Sequence, residues 1–374
     1  MELRAGCCAI SGSGLHQPHV LPDRWIEARR NWLLQFRFMN SVAATKISIL
    51  FSIGLMLAGT NFFAHAHEIW VTNQRTNQVE VIDSGTLKVV GRIRTGRKPH
   101  NITFSSDQKR AYVANLKSND FTVIDTETHK PIKNVTAGKM VHHVAVSPDD
   151  NLLLVTNRGD NTVTAYDARS LAPIKTLRVG RRPAMTLFTP DGKKAYISNS
   201  ADGSLSILDI GSLTITGTVR NAGNDAASMA ITPDGRKLIV TASEDNGYTL
   251  INSVTEKIAG TYHSGTDPRS LALEPDGYHA LIANRQSNDI SIVDMANGEV
   301  TATISGIGDK PSTIDVSPDG RLAYVALIGK RVAADPPQRP SGKDAGVSVI
   351  DINTKKKLAT IKLGGDPYGV AVKK

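Results

Sequence analysis

Residues 69–83 read IWVTNQRTNQVEVID, and four later stretches can be laid over them without a gap: AYVANLKSNDFTVID at 111–125, LLVTNRGDNTVTAYD at 153–167, AYISNSADGSLSILD at 195–209 and ALIANRQSNDISIVD at 280–294. The shared asparagines are Asn73, Asn115, Asn157, Asn199 and Asn284, and the first four stand 42 residues apart. Ala242 and Leu327 fill the same column in two degenerate copies, so seven copies follow one another with no linker. Ten residues further on, Asp83, Asp125, Asp167, Asp209, Asn252 and Asp294 form a second column, and an insertion displaces its last member to Asp351. Self-similarity at one fixed period is the mark of a repeat architecture.

Within a copy, short runs alternate apolar and polar residues and are bounded by turn residues, which is the pattern of half-buried strands. A run such as VAVSPD leads through a turn to AYVAN, then through a polar loop to FTVID, then to an outer strand such as IKNVTAG. Pro148, Pro190, Pro233 and Pro318 preset one turn residue, while Gly192, Gly235 and Gly320 supply positive φ at the hairpin end. The aspartate column suits the first position of a type I turn.

Four strands per repeat, with no helical segment, predict an all-β, seven-bladed β-propeller of four-stranded antiparallel blades. An open stack would leave its terminal apolar faces in water, whereas a closed ring buries all of them. The segment HEIWVTN begins at a second strand and GGDPYGVAVKK stops after a first strand, so one blade is expected to join N-terminal strands to a C-terminal strand.

These repeats resemble the YVTN family of β-propellers, whose motif stands here as WVTN, YVAN, LVTN, YISN and LIAN, with VIDT and SPDG beside it. The resemblance covers residues 67–374 and implies the propeller fold. For function it implies only a range: surface-layer proteins, periplasmic proteins of quinone-cofactor pathways, and relatives of lactonases and of the haem-binding propeller of cytochrome nitrite reductases. Fold alone does not choose among them.

Upstream of the repeats, residues 39–66 carry Lys46, an apolar run from Ile47 to Leu57 and the small-x-small sequence Ala64-His65-Ala66, the pattern of a secretory signal too short to span a membrane comfortably. Translation is expected to begin at Met39, which leaves residues 1–38 as a mis-assigned start or disordered leader. The processed chain, 67–374, is then periplasmic or secreted, with no transmembrane segment. Its net charge falls from +9 to +6, and both cysteines, Cys7 and Cys8, are lost with the leader. It therefore offers no disulfide, thiolate metal site or haem-attachment motif.

Loops between the second and third strands, and those between blades, should emerge on one face and frame the channel mouth, the usual ligand site of a propeller. The two residues after the proline column there are His100 and Asn101, His142 and His143, Ala184 and Met185, Ala227 and Ser228, Arg269 and Ser270, Ser312 and Thr313, and Tyr368 and Gly369. His100, His142 and His143, facing Arg269 and Tyr368, suit a transition metal, an anion, or the carboxylates of a cofactor such as a tetrapyrrole. The same side chains equally suit a mouth lined by groups bonded to water and backbone, since a metal needs three convergent ligands. His67 becomes the terminal residue after cleavage and is expected to fray, although a terminal amine with an imidazole can chelate copper.

Rim charge is uneven. Arg75, Arg97, Lys98, Lys117, Lys139, Arg158, Arg181 and Arg182 lie in the first half, against Asp225, Glu244, Asp245, Asp267, Asp309 and Asp366 in the second. A basic lobe would steer an anionic ligand or acidic partner toward the mouth. The long loop GKRVAADPPQRPSGKDAG, at 329–346, is expected beside that opening.

With no Ser-His-Asp spacing, Gly-rich phosphate loop or carboxylate cluster in the sequence, the expected role is binding or scaffolding. The ligand is a small anion, cofactor or partner protein, held by His100, Asn101, His142, His143, Arg182, Arg269 and Tyr368, and the protein is expected to be a monomer. Cofactor-dependent oxidoreduction and lactone hydrolysis are the enzymatic alternatives. Scarce aromatic residues argue against stacking on nucleic-acid bases. Intact-mass measurement on protein exported by a bacterial host should find His67 at its N-terminus, and a retained 39–66 segment would refute the signal.

Overall fold

Period-two alternation becomes twenty-eight strands, numbered β1 to β28 in chain order, in a computed structural model that describes residues 66–329 and 344–374. They form seven four-stranded antiparallel sheets. The innermost strands are β4 (Pro99–Phe104), β8 (Val141–Val146), β12 (Pro183–Phe188), β16 (Ala226–Ile231), β20 (Pro268–Leu273), β24 (Pro311–Val316) and β28 (Pro367–Lys373). Six blades are contiguous in sequence. The seventh pairs β28 with β1 (Glu68–Asn73), which continues into β2 (Gln78–Asp83) and β3 (Lys88–Arg94).

This clasp has an extended register, Glu68 opposite Lys373, Ile69 opposite Val372 and Trp70 opposite Ala371. Glu68 fastens its corner through His129 at 2.9 Å, Trp70 Nε1 at 3.0 Å and Lys373 at 3.6 Å. Trp70 is fully buried, with Phe104 of the next blade and His129 edge-on at 5.4 and 5.3 Å. The apolar interior is divided among the gaps between blades, each filled by the facing sides of two sheets. One such gap joins Ile69, Val71 and Ile82 to Tyr324, Val347 and Val349.

The two landmark columns are structural. Asp83, Asp125, Asp167, Asp209 and Asp351 each accept the backbone N–H three residues on, at 2.7 to 2.9 Å, which closes the turn after the third strand. Hydrogen bonding to the ionised form holds Asp83, Asp125, Asp167 and Asp209 below the usual carboxylate range. The asparagines are buried and reach across to the third strand of their own blade. Asn157 Nδ2 donates to Thr162 and Thr164, Asn199 Nδ2 to Ser204 and Ser206, and Asn284 Nδ2 to Asp289 and Ser291. On the face away from the mouth, Gly192, Gly235 and Gly320 take φ of +67°, +71° and +72°, as the turn chemistry requires.

The leader and signal residues up to 65, both cysteines and most of the long insertion, 330–343, lie outside the described residues. In the uncleaved chain His67 is tied to the fold: its backbone N–H donates to Ser84 Oγ at 2.9 Å and its ring meets Tyr324 edge-on at 5.5 Å. No helix among the described residues is long and apolar enough to cross a membrane.

Because Trp25 and Trp32 precede the signal, Trp70 is the sole tryptophan of residues 67–374 and reports on the clasp. Trp70→Ala should lower the unfolding free energy by about 3–5 kcal/mol in urea titrations, the range for a large buried aromatic. Removal of residues 367–374 should shift its emission to the red. Unchanged emission would mean that β28 does not seal the ring.

Candidate functional site

Each innermost strand carries a β-bulge beside its proline column, seen for example as a register shift between Pro99 and Ile102 and between Val141 and His143. A bulge sets two residues against one on the neighbouring strand and re-aims their side chains. Strict alternation is broken at this point, and in six of the seven blades both residues after the proline column reach the channel. His100, Asn101, His142, His143, Ala184, Met185, Arg269, Ser312, Thr313 and Tyr368 all line one axial cavity of about 370 Å3.

The extra residue leaves a backbone N–H without a ladder partner, and the repeat motif supplies one. Gly369, His143, Met185 and Ser228 donate to the hydroxyls of Thr72, Thr156, Ser198 and Thr241 at 2.8 to 3.0 Å. Thr72, Thr156 and Ser198 in turn donate to the next blade, to the carbonyls of His100, Ala184 and Ala227. The motif's threonine therefore fastens the bulge and joins neighbouring blades. Where it is Ala114, Asn101 Nδ2 takes over and donates to the His142 carbonyl at 3.2 Å. Where it is Ala326, Thr313 and Ser312 donate to the Tyr368 carbonyl at 2.5 and 2.8 Å. Asn101 lines the cavity, but its amide is committed to this blade-to-blade bond.

Three aromatic rings from consecutive blades stand in a row. The His100 centroid lies 4.0 Å from Tyr368 and 4.1 Å from His142, with interplanar angles of 39° and 43°. Such close approach is possible because residue 369 is glycine: a Cβ there would collide with the His100 carbonyl. His142 Nδ1 lies 2.7 Å from the Ala184 carbonyl, an acceptor only, so Nδ1 carries the proton and Nε2 is the bare nitrogen of the neutral ring. Nδ1 of His100 and Nδ1 of His143 are buried and have no partner in the structure. Burial, with nearby Arg158 and Lys98, drives His100 well below its ordinary pKa, and burial takes His142 to about 3 and His143 to about 4. All three are neutral at physiological pH.

Among the described residues, no group of three or more His, Cys, Asp or Glu side chains gathers in a form that could hold a metal ion. The His100 and His142 rings approach each other at a tilt, and His142 spends one nitrogen on backbone. His100, His142 and His143, expected as metal ligands, all line the cavity but are not gathered as such a group among the described residues.

The charged groups divide sharply. Arg269, half-buried, pairs with Asp225 at 2.6 Å and Asp267 at 2.7 Å, and Asp267 also holds Arg285 at 2.9 Å. Two acids of the second half, Asp225 and Asp267, are thus paired within the rim. Arg182 is exposed, takes φ of +54°, donates its backbone N–H to Asn161 at 2.8 Å and stands outside the cavity lining.

Arg158, counted above only among rim charges, is half-buried and lines the cavity; its backbone N–H donates to the Met140 carbonyl at 3.1 Å, but its guanidinium makes no hydrogen bond or ion pair with the described residues. Burial and the like charge of Arg182 lower its pKa from the usual 12.5 without threatening its protonation at neutral pH. Its sequence signal was its position directly after a landmark asparagine, where the loop turns over the mouth. Beside Tyr368 a second depression of about 540 Å3 is lined by Arg75, Arg97, Lys98 and Lys117. The basic lobe therefore adjoins the ring row.

Because folding lowers the pKa of these imidazoles, the native state binds fewer protons than the unfolded chain. Their contribution to stability is complete above the ordinary value of 6.5 and is lost as pH falls through about 4 for His143 and about 3 for His142. Urea midpoints measured from pH 7 to pH 4 should fall, and His143→Asn should flatten that fall. An equally steep fall in the variant would contradict the burial of His143 as a neutral ring.

Among curated proteins none is significantly similar in sequence. In structure the chain is similar to hydrazine synthase of Kuenenia stuttgartiensis, at TM-score 0.64 and 22% identity over 70% of this chain and 89% of that one. It is similar to a functionally unknown protein from Desulfotomaculum acetoxidans, at TM-score 0.69 and 13% identity over 82% and 98%. A third likeness is to the dihydro-heme d1 dehydrogenase NirN in complex with DHE, at TM-score 0.60 and 16% identity over 82% and 75%. At these identities the likeness is one of fold. A family description matches residues 88–210 and 122–307, overlapping segments that together cover more than half of the chain. On that match and on seven four-stranded blades, the chain belongs to the family described as Lactonase, 7-bladed beta-propeller.

Proposed function

We propose that this protein is an extracytoplasmic binding propeller, of the YVTN kind, whose channel mouth takes a flat, carboxylate-bearing small molecule or cofactor of the tetrapyrrole class. The observation that carries the reading is Arg158, a half-buried guanidinium with no hydrogen bond or ion pair among the described residues, the nearby Asp225 being paired with Arg269 instead. A cation drawn partly out of water without a partner is unfavourable, and an incoming carboxylate relieves it with a charge-assisted, bidentate bond. The Tyr368, His100 and His142 rings offer flat, uncharged surface against which a planar ligand packs. His100 and His143 keep unpartnered ring nitrogens in the same cavity lining. The cationic depression beside Tyr368 attracts such a ligand from a distance. A complex with DHE in a neighbour of similar fold supports the ligand class.

Lactone hydrolysis is a second reading, favoured by the family's description. It needs a base poised near the working pH, and imidazoles held at about 3 and about 4 are poor bases at pH 7. The same neutrality suits packing against a ligand, which is why binding is preferred.

Absorbance titration with iron protoporphyrin and with its dimethyl ester tests the proposal. Wild-type protein should saturate with the free acid and bind the ester at least about ten-fold more weakly, the loss expected for one charge-assisted contact. Arg158→Gln should weaken the free acid to the level of the ester while leaving the fold intact. Equal binding of acid and ester, or no effect of Arg158→Gln, would refute the assignment. Hydrolysis of a lactone panel that disappears in His143→Asn would favour the second reading.

A further inference from the structure

The blade of β16, β17 (Lys237–Ala242), β18 (Gly247–Asn252) and β19 (Lys257–His263) departs from the repeat at one place. In four blades a landmark asparagine donates to the side chain seven residues later: Asn115 to Thr122, Asn157 to Thr164, Asn199 to Ser206 and Asn284 to Ser291, at 2.9 to 3.0 Å. In the clasp blade Asn73 reaches Glu80. In the blade with Leu327 the larger side chain stands in that column, and Ser348 turns instead to the Ile307 carbonyl. Here the asparagine column holds Ala242. The position five residues on, polar in the other asparagine blades, is Gly247, and the acceptor seven residues on remains as Thr249.

What remains is a cavity of about 210 Å3 lined by Ala242, Gly247, Thr249 and Gly223 together with Asp245, Asn221 and Tyr262. It is well beyond the roughly 30 Å3 occupied by one liquid water. Thr249 is 1% exposed and its hydroxyl makes no hydrogen bond with any described residue. With no partner in the blade, that hydroxyl is available as an acceptor to whatever enters the cavity. Gly223 holds the position of Gly138, whose N–H donates to Asn157 Oδ1 at 3.0 Å in a neighbouring blade. The acceptor for a carboxamide –NH2 is therefore in place as in four other blades, without the asparagine that serves it there, while Gly223 takes φ of +116° beside it.

We propose that this pocket recognises a primary carboxamide supplied from outside the blade, its –NH2 donating to Thr249 and its oxygen accepting from the Gly223 side. The neighbouring Asp245 carboxylate already holds Asn224 through two hydrogen bonds and disfavours an anion in the same space. The site is independent of the channel mouth and does not rest on its assignment.

Acetamide titrated into 15N-labelled protein, followed at the amides of Gly223, Gly247 and Thr249, tests the proposal. Saturable shifts are expected with acetamide, and none with acetate, guanidinium or N,N-dimethylacetamide. Ala242→Asn, which restores the internal amide, should weaken acetamide binding at least ten-fold and raise the urea midpoint. Thr249→Val, nearly the same shape, should weaken it without that gain, which keeps the test open if Ala242→Asn misfolds. Free glutamine and a capped tripeptide with a central glutamine then separate a small metabolite from a partner's side chain. No saturable response to acetamide, an equal response to guanidinium, or undiminished binding by Ala242→Asn would overturn the proposal and leave a pocket for water alone.

Discussion

Closure of the ring is the constraint on which everything else rests. Each sheet has two apolar faces, and each face finds cover only in its neighbour, so a row of blades is satisfied only when the first meets the last. The pairing of β28 with β1 provides that meeting and at the same time pairs the inner edge of β1, which would otherwise present free N–H and C=O groups. Once the circle is sealed, seven inner strands share an axis and their first residues face one another. The cavity is a by-product of that geometry, and its chemistry depends on which side chains sit on the two or three blades nearest the clasp.

Within the circle a second requirement operates. A curved stack of twisted sheets crowds its inner strands at one end, and the structure answers with a bulge in each. The bulge re-aims two side chains toward the axis and strands an N–H, and the hydroxyl of the repeat motif satisfies it. Fold and site are thereby coupled: the device that lets the strands converge also turns His100 and His142 toward each other. The His100 to Tyr368 approach depends on the same convergence and on the absence of a side chain at Gly369.

Blade number, strand order and clasp were legible because they follow from periodicity, and periodicity survives the loss of single motif residues such as those replaced by Ala242 and Leu327. The mouth histidines and Tyr368 were legible for the same reason, as occupants of one column. Which of them retain free bonding capacity was not, since that depends on bulge geometry and on partners far away in sequence. Arg269 looked like the cation of the site, but Asp225 and Asp267 balance it. Arg158 looked like one rim charge among eight, and only its position over the cavity, with no ion pair of its own, distinguishes it. Asn101 shows the reverse case: a polar residue in a ligand column whose duty is to hold two blades together.

That last substitution has an evolutionary side. The hydroxyl on the second strand and the polar side chain on the first serve one carbonyl of the adjacent blade in alternation, Thr72 for His100 but Asn101, not Ala114, for His142. Drift at the two columns is consequently not free. A lineage that loses the hydroxyl first passes through a form with a buried carbonyl left wanting, whereas one that gains the amide first does not. The order of the two changes is thus set by hydrogen-bond demand, and mouth positions so recruited are withdrawn from the pool available for ligand contact.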